Sequence, residues 1–155
     1  MWNITIVAVG KVKEAYFRDA ILEYTKRLGP YVKLSFQELK PEPFHGEGDK
    51  LKAKKAEGER LSAFLEKRSE SYVIILDEHG KKYSSPAFAR HLEKISQPII
   101  FVIGGSLGID ERVVEQYKNI ISLSEMTFPH EMARMVLVEQ IYRAVTILKE
   151  KEYHH

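Results

Sequence analysis

The stretch IIFVIGGSLGIDERVVEQYKNIISLSEMTFPHEMARMVLVEQIYRAVTILKEKEYHH, Ile99 to His155, decides the fold. Its first five residues, Ile99 to Ile103, are all apolar and run into the glycine-rich turn Gly104, Gly105, Ser106, Leu107, Gly108. A second short apolar run, Asn119 to Leu123, ends in the segment Ser124 to Pro129. Both turns then open into helical spacing. Strands that feed helices in this way build an open α/β sheet, where ligands bind just beyond the carboxyl ends of the strands. Two successive strand-to-helix loops of such composition therefore predict one shared pocket.

Working outward, the same alternation continues upstream. Ile4 to Val9 reads as a buried strand stopped by Gly10. Tyr16, Phe17, Ala20, Ile21, Tyr24 and Leu28 recur at helical spacing from Ala15 to Leu28, and Gly29 with Pro30 supplies the stop. Val32 to Leu39 alternates as an outer strand, and the prolines and glycines from Lys40 to Gly48 predict a loop without regular structure. A helix is expected over Asp49 to Lys67, with Leu51, Ala56, Leu61, Phe64 and Leu65 inward. A strand over Tyr72 to Leu76 then ends at Asp77 to Gly80. Ser84, Ser85 and Pro86 introduce a helix over Ala87 to Ile95, and further helices follow over Asp110 to Tyr117 and Glu131 to Lys149. Three of the five strands are continuous apolar runs separated by helices. That pattern predicts an α/β fold, a compact and mainly parallel sheet covered by helices on both faces, forming one domain over residues 1–155.

Bulk properties exclude several classes. A chain of 155 residues buries ~68–70% of its unfolded surface and needs no disulfide or metal staple. It contains no cysteine, which removes thiolate nucleophiles, disulfides and sulfur-ligated zinc. Histidines at 45, 79, 91 and 130 are scattered, so no metal is assigned. With 24 Lys and Arg against 22 Asp and Glu, overall charge says nothing about a nucleic-acid partner; the placement of charge must decide. Ile4 to Val9 is too short for a signal peptide and no run reaches ~20 apolar residues, so the expectation is a cytoplasmic protein with no membrane partner.

The glycine turn fails as a phosphate cradle. A P-loop needs Lys then Ser or Thr after its last glycine, and Gly108 is followed by Ile109 and Asp110. The dinucleotide fingerprint follows the first strand, whereas this turn follows the fourth. Two readings remain: a tight turn, or a close backbone approach to a ligand that carries no phosphate. In the second loop, Pro129 fits the first helical position and Thr127 a nearby cap, which leaves the rest of Ser124 to Phe128 unexplained. His130 and Arg134 stand four apart on the following helix and share a face at the pocket mouth. Glu139 and Arg143 have the spacing of a helix-surface ion pair. The helix from Lys50 to Arg68 is rich in lysine and arginine, which fits either a solvated face or a phosphate-binding surface. By composition the tail Glu152 to His155 is a frayed end, and its paired histidines match a native terminus or a tag remnant.

The segments ITIVAVGKVKE, LGPY at Leu28 to Tyr31, FVIGGSLG, and above all LSEMTFPHEMARMVLVEQIYRA with a terminal Tyr-His resemble the ribosomal RNA large subunit methyltransferase H family of the SPOUT superfamily. The resemblance spans essentially the whole chain. It implies S-adenosylmethionine-dependent methylation of N3 of a pseudouridine in 23S rRNA of the ribosome, a trefoil knot at the C-terminal end, and a homodimer. It also implies cofactor contacts at Leu76, Gly104, Leu123, Ser124, Glu125, Met126, Thr127 and Phe128, at the strand ends where the pattern places a pocket. A sulfonium cofactor has no phosphate, which accounts for the missing P-loop lysine. Candidates for the chemistry are His130, Arg134, Tyr153 and His154, the last two reaching the partner subunit's cofactor, with His154 as a proton acceptor. The family commonly ends in Tyr-His followed by Lys or Arg, and this chain has His155 there. The competing reading is a non-catalytic, ribosome-associated RNA-binding module that uses the Lys50 to Arg68 surface and needs no cofactor pocket. A nucleotide-phosphate hydrolase is disfavoured by the absent P-loop lysine.

Overall fold

A computed structural model describes residues 1–155. Five strands, β1 (Trp2–Val9), β2 (Val32–Leu39), β3 (Tyr72–Lys82), β4 (Ile99–Ile103) and β5 (Ile120–Ser122), form one sheet in the order β2-β1-β4-β3-β5. Every neighbouring pair is parallel, so each connection must cross over, and each contains a helix. The helices are α1 (Ala15–Leu28), α2 (Glu47–Glu66), α3 (Ser85–Glu93), α4 (Glu111–Gln116) and α5 (His130–Leu148).

Strand alternation divides the core. Ile4, Ile6 and Ala8 of β1 and Ile99, Phe101 and Ile103 of β4 face a cluster with Ile21 and Leu28 of α1, Phe88 and Leu92 of α3, and Leu137, Ile141 and Val145 of α5. Val7, Val9, Ile100 and Val102 point the other way, onto Leu61 and Leu65 of α2 and Val113 of α4. Both faces of the central strands are therefore dry, which is why β4 is apolar at all five positions. The alternating β2 is an edge strand, as its pattern predicts. Ser84 caps α3 by accepting a hydrogen bond from the Ala87 amide at 3.3 Å. No helix is long and apolar enough to cross a membrane.

Four local expectations need correction. The strand expected to stop at Leu76 continues as β3 to Lys82, with a register shift against β5 between Leu76 and Lys81. Gly80 permits this, because a methyl group there would lie 2.7 Å from backbone carbons of Ile120 and Ile121. Helix α2 begins at Glu47, inside the segment expected to be irregular, with Glu47 and Asp49 in its first turn facing the positive end of the helix dipole. Leu51 is 79% exposed; the buried stripe runs through Ala53, Glu57, Leu61 and Leu65, and Leu51 lies about 200° around the axis from Ala53. In α1, Tyr16 is 65% exposed, leaving Ile21 and Leu28 as its buried contacts.

Candidate functional site

At the carboxyl ends of β4 and β5, beside the middle of β3, the chain surrounds a cavity of about 430 Å³. The middle of β3, just past its last pairing with β4 at Ile75, contributes Leu76, Asp77 and Glu78. The turn after β4 contributes Ile103, Gly104, Gly105, Ser106, Gly108 and Ile109. The loop after β5 contributes Leu123, Ser124, Met126, Thr127 and Phe128, and the start of α5 adds Pro129, His130 and Ala133. The two loops singled out in the sequence thus share one cavity, together with part of a third strand.

Each wall is fixed locally. Gly108 has φ of +77°, a left-handed conformation that closes the turn, and its amide donates to the Gly105 carbonyl at 3.0 Å. A methyl group on Gly104 would lie 2.8 Å from Ile109 Cγ1 and 2.9 Å from the Gly108 carbonyl carbon. The turn therefore folds back on itself only with glycine at 104. In the second loop, Ser122 Oγ donates to the Ser124 carbonyl at 2.9 Å, and Ser124 Oγ accepts from the Met126 amide at 3.0 Å. Thr127 Oγ1 donates to the Glu78 carboxylate, tying this loop to the middle of β3. Thr127 is thus a strap and not a helix cap, and Pro129 is the N-cap residue, one place before the expected position.

The cavity wall carries no lysine or arginine. Its charged residues are Asp77 and Glu78, with His130 beside them. Asp77 Oδ1 accepts from the His79 amide at 2.8 Å. Glu125 does not line the cavity; it pairs with Lys82, whose ammonium group holds its carboxyl below the usual carboxylate range.

Of the four candidates for chemistry, only His130 lines the cavity. Arg134 is 5% exposed. Its Nη1 donates to Glu38 Oε2 at 2.9 Å, its Nη2 to the Gly10 carbonyl at 3.2 Å, and its Nε has no partner. It fastens the ends of β1 and β2 to α5. Tyr153 and His154 lie together on the α1–α5 face. Tyr153 Oη donates to Glu139 Oε1 at 3.0 Å and lies 3.3 Å from Tyr24 Oη. Burial, followed by these two hydrogen bonds, raises its pKa. Arg143 pairs with Glu139 at 2.6 Å and donates to His154 Nδ1 at 3.3 Å. The tail is thereby tied down where composition alone suggests fraying.

No group of three or more His, Cys, Asp or Glu is placed to hold a metal ion. On the basic helix, Lys50 pairs with Glu47, Lys54 with Glu111 and Arg60 with Glu42, so much of its charge is internally matched.

Comparison with known proteins places this geometry. The family described as Predicted SPOUT methyltransferase matches residues 2–154. The chain belongs to that family. Within it, the ribosomal RNA large subunit methyltransferase H of Exiguobacterium sp. is 44% identical over 98% of this chain and 99% of its own length. The protein of the same description from Bifidobacterium adolescentis is 42% identical over the same shares. The SPOUT assignment agrees with the fold. A Bacillus anthracis crystal structure described as a candidate RNA methyltransferase covers 98% of this chain and 99% of its own, with a TM-score of 0.58 at 15% identity. At that identity the likeness speaks for the fold alone.

Sequence reasoning missed Asp77 and Glu78 as cavity residues, because they read as the polar end of a strand. Ile109 and Ala133 were missed as ordinary helix-flanking apolar positions. A signal for Asp77 and Glu78 existed: they follow the all-apolar run Tyr72 to Leu76, the place where the strand-end rule puts ligands.

Proposed function

We propose that this chain is an S-adenosylmethionine-dependent methyltransferase that acts on N3 of a pseudouridine in 23S rRNA of the large ribosomal subunit or the assembled ribosome. The observation that carries the reading is the cavity's charge: two carboxylates, one imidazole and no fixed cation, at the strand ends of a SPOUT chain. A phosphate-bearing cofactor would find no counter-charge there, whereas a sulfonium cation would. About 430 Å³ also falls within the ~300–1,000 Å³ of small-molecule pockets. The relatives' names supply the substrate class.

When bound, the cofactor supplies an electrophilic methyl group on a sulfonium centre. Leu76, Ile103, Leu123 and Phe128 furnish apolar walls, while the backbone of Gly104, Ser124, Met126 and Thr127 offers amides and carbonyls to an adenine edge. The proton on N3 has to leave before the nitrogen lone pair can attack, and the charge left on the base must be stabilised. His130, which lines the cavity, is the residue assigned to that task in this reading. Arg134 acts through position, holding α5 against the ends of β1 and β2. Tyr153 and His154 complete the cavity of a second copy in a homodimer, and His154 must release Arg143 before its Nδ1 can take a proton. The chain acts as one domain over residues 1–155, with its C-terminal part tied in the family's trefoil knot, in the cytoplasm, where its substrate is.

Calorimetric titration with S-adenosylmethionine, together with mapping of methylated positions in ribosomal RNA with and without the protein, tests the reading. Saturable heat and one new methylated pseudouridine are expected. Absence of both would favour a ribosome-associated binding module.

A further inference from the structure

The proposed reaction uses the cavity but leaves open how a polyanionic substrate is held over a mouth lined with carboxylates. The segment beside that mouth offers an answer. Gly10, at φ +95°, turns the chain out of β1, and its amide donates to the Leu39 carbonyl at 2.8 Å. The following residues, Lys11 to Glu14, form the β1–α1 loop, which is clamped to α5 from two sides. Glu131 accepts from the backbone amides of Lys13 and Glu14, the latter at 3.2 Å, and Arg134 donates to the Gly10 carbonyl. On its other flank, Val9 lies beneath the glycine turn of the cavity, where a methyl group on Gly105 would be 3.3 Å from the Val9 carbonyl oxygen. The loop thus lies between the glycine turn and the start of α5, both of which line the cavity.

The wedge carries two lysines, Lys11 and Lys13, against one acid, Glu14. Lys11 and Lys13 are exposed, as is Lys40 at the end of the adjacent β2, and none of the three forms an ion pair. Glu14 apart, the acids around the loop are already engaged. Glu131 is held by the loop amides, Glu38 by Arg134 and Glu42 by Arg60. A loop whose backbone is fixed by Arg134 and Glu131 while its exposed lysines form no ion pair is a preorganised anion site rather than a solvated run.

Resting on the methyltransferase reading, we propose that Lys11, Lys13 and Lys40 form a shelf that grips the RNA sugar-phosphate backbone beside the target nucleotide. The shelf then positions the base over the cavity mouth while making no contact with the methyl donor. Lysine point charges suit this role, because phosphate contacts set register without reading sequence.

The test compares Lys11→Gln/Lys13→Gln with Lys52→Gln/Lys55→Gln on α2, both as full-length proteins. The readouts are affinity for large ribosomal subunits across a salt series, methyl transfer at limiting and saturating subunits, and calorimetric affinity for S-adenosylmethionine. For the shelf variant, roughly tenfold weaker subunit binding is expected, with a log–log salt slope shallower by about 1.5 for the two lost phosphate contacts. Apparent KM should rise in step, while kcat and cofactor affinity stay within about twofold. The α2 variant should keep wild-type RNA affinity. Unchanged KM and salt slope in the shelf variant, or a loss carried by the α2 variant instead, would overturn the shelf. Lys11→Glu/Lys13→Glu guards against a small effect, since charge reversal must deepen the KM defect if the shelf meets phosphate. If the wild type itself neither binds the cofactor nor methylates, the underlying function is wrong and the shelf falls with it.

Discussion

Gly58 sits inside α2, where glycine to alanine ordinarily stabilises a helix by ~1 kcal/mol. Here the opposite sign is expected. A methyl group at 58 would lie 2.6 Å from Asp110 Cβ, 3.2 Å from its Cγ and 3.3 Å from its Oδ2. Asp110 cannot easily yield, being 7% exposed. It is the N-cap of α4, accepting from the Arg112 amide at 2.9 Å and from Arg112 Nε at 3.1 Å. Overpacking of this kind costs ~1–3 kcal/mol, and a displaced N-cap costs ~1 kcal/mol more. Set against the helix gain, Gly58→Ala should lose about 1–3 kcal/mol, which for a chain of this size lowers Tm by roughly 2–12 °C. Ile109, beside Asp110, lines the cavity. The same variant should therefore bind S-adenosylmethionine several-fold more weakly, an effect that a purely global destabilisation would not produce at low temperature. Differential scanning calorimetry and cofactor titration on the same sample decide the matter. A rise in Tm would refute the packing argument, and a fall in Tm with unchanged cofactor affinity would refute the link from α2 through Asp110 to the pocket.

Other variants probe separate parts of the structure. Gly104→Ala should abolish detectable cofactor heat while the protein stays folded by circular dichroism, because the added methyl opens the turn over Ile109 and Gly108. Arg134→Met removes the donor to Gly10 and strands a half-exposed Glu38; about 1–3 kcal/mol should be lost, read as a lower denaturant midpoint, with Arg134→Lys recovering only part of it. Burial pushes the Glu57 carboxyl above its ordinary value, one of its oxygens having no partner while the other accepts from the Glu42 amide at 3.0 Å. A raised acid in the folded state favours the protonated form, so wild-type stability relative to Glu57→Gln should fall as pH rises from the unfolded carboxylate range through the folded one. Urea midpoints at a series of pH values measure that difference, and a difference that does not change with pH contradicts the assignment. His154→Ala should cut turnover by ~10²-fold or more with cofactor affinity unchanged if the tail imidazole accepts the N3 proton, and unchanged turnover removes it from the mechanism.

Much of this molecule is legible in its sequence because a parallel sheet covered on both faces leaves a simple imprint. Ile99 to Ile103 is apolar throughout because both of its faces are dry. What could not be read is what depends on neighbours distant in sequence. The order β2-β1-β4-β3-β5 puts the fourth strand between the first and the third, and no local pattern encodes that. Gly80 looks like a stop until the backbone of β5 is found against it, after which it is the residue that lets β3 continue. Leu51 misled because a leucine in a helix reads as core, while the true stripe includes a glutamate and a glycine. Glu57 and Gly58 are buried because the Glu42 amide and the Asp110 side chain come to meet them. Loop composition pointed to the segments that line the cavity. It could not say that Arg134, one turn past His130, turns away from the cavity toward β1 and β2, since that choice is made by Glu38 and the Gly10 carbonyl.

That choice bears on how two ligands of opposite charge would share one end of a sheet under the proposed function. A cavity that takes a sulfonium cation, as proposed, cannot also carry the cations that an RNA backbone needs, since at close range each would repel the other's ligand. The fold separates them by depth. Asp77 and Glu78 are on the cavity wall, whereas Lys11, Lys13 and Lys40 stand outside it. Arg134 is the partition: its charge is spent on Glu38 and Gly10, and it lends neither the cavity nor the surface a free cation. Removing Glu38 should then be more harmful to function than to stability. With Glu38→Gln, Arg134 keeps the Gly10 carbonyl but regains a net positive charge beside the cavity. Weaker cofactor binding that recovers with added salt would locate the defect in that field, whereas a loss independent of salt would mean that Glu38 matters only for the shape of the β2 end.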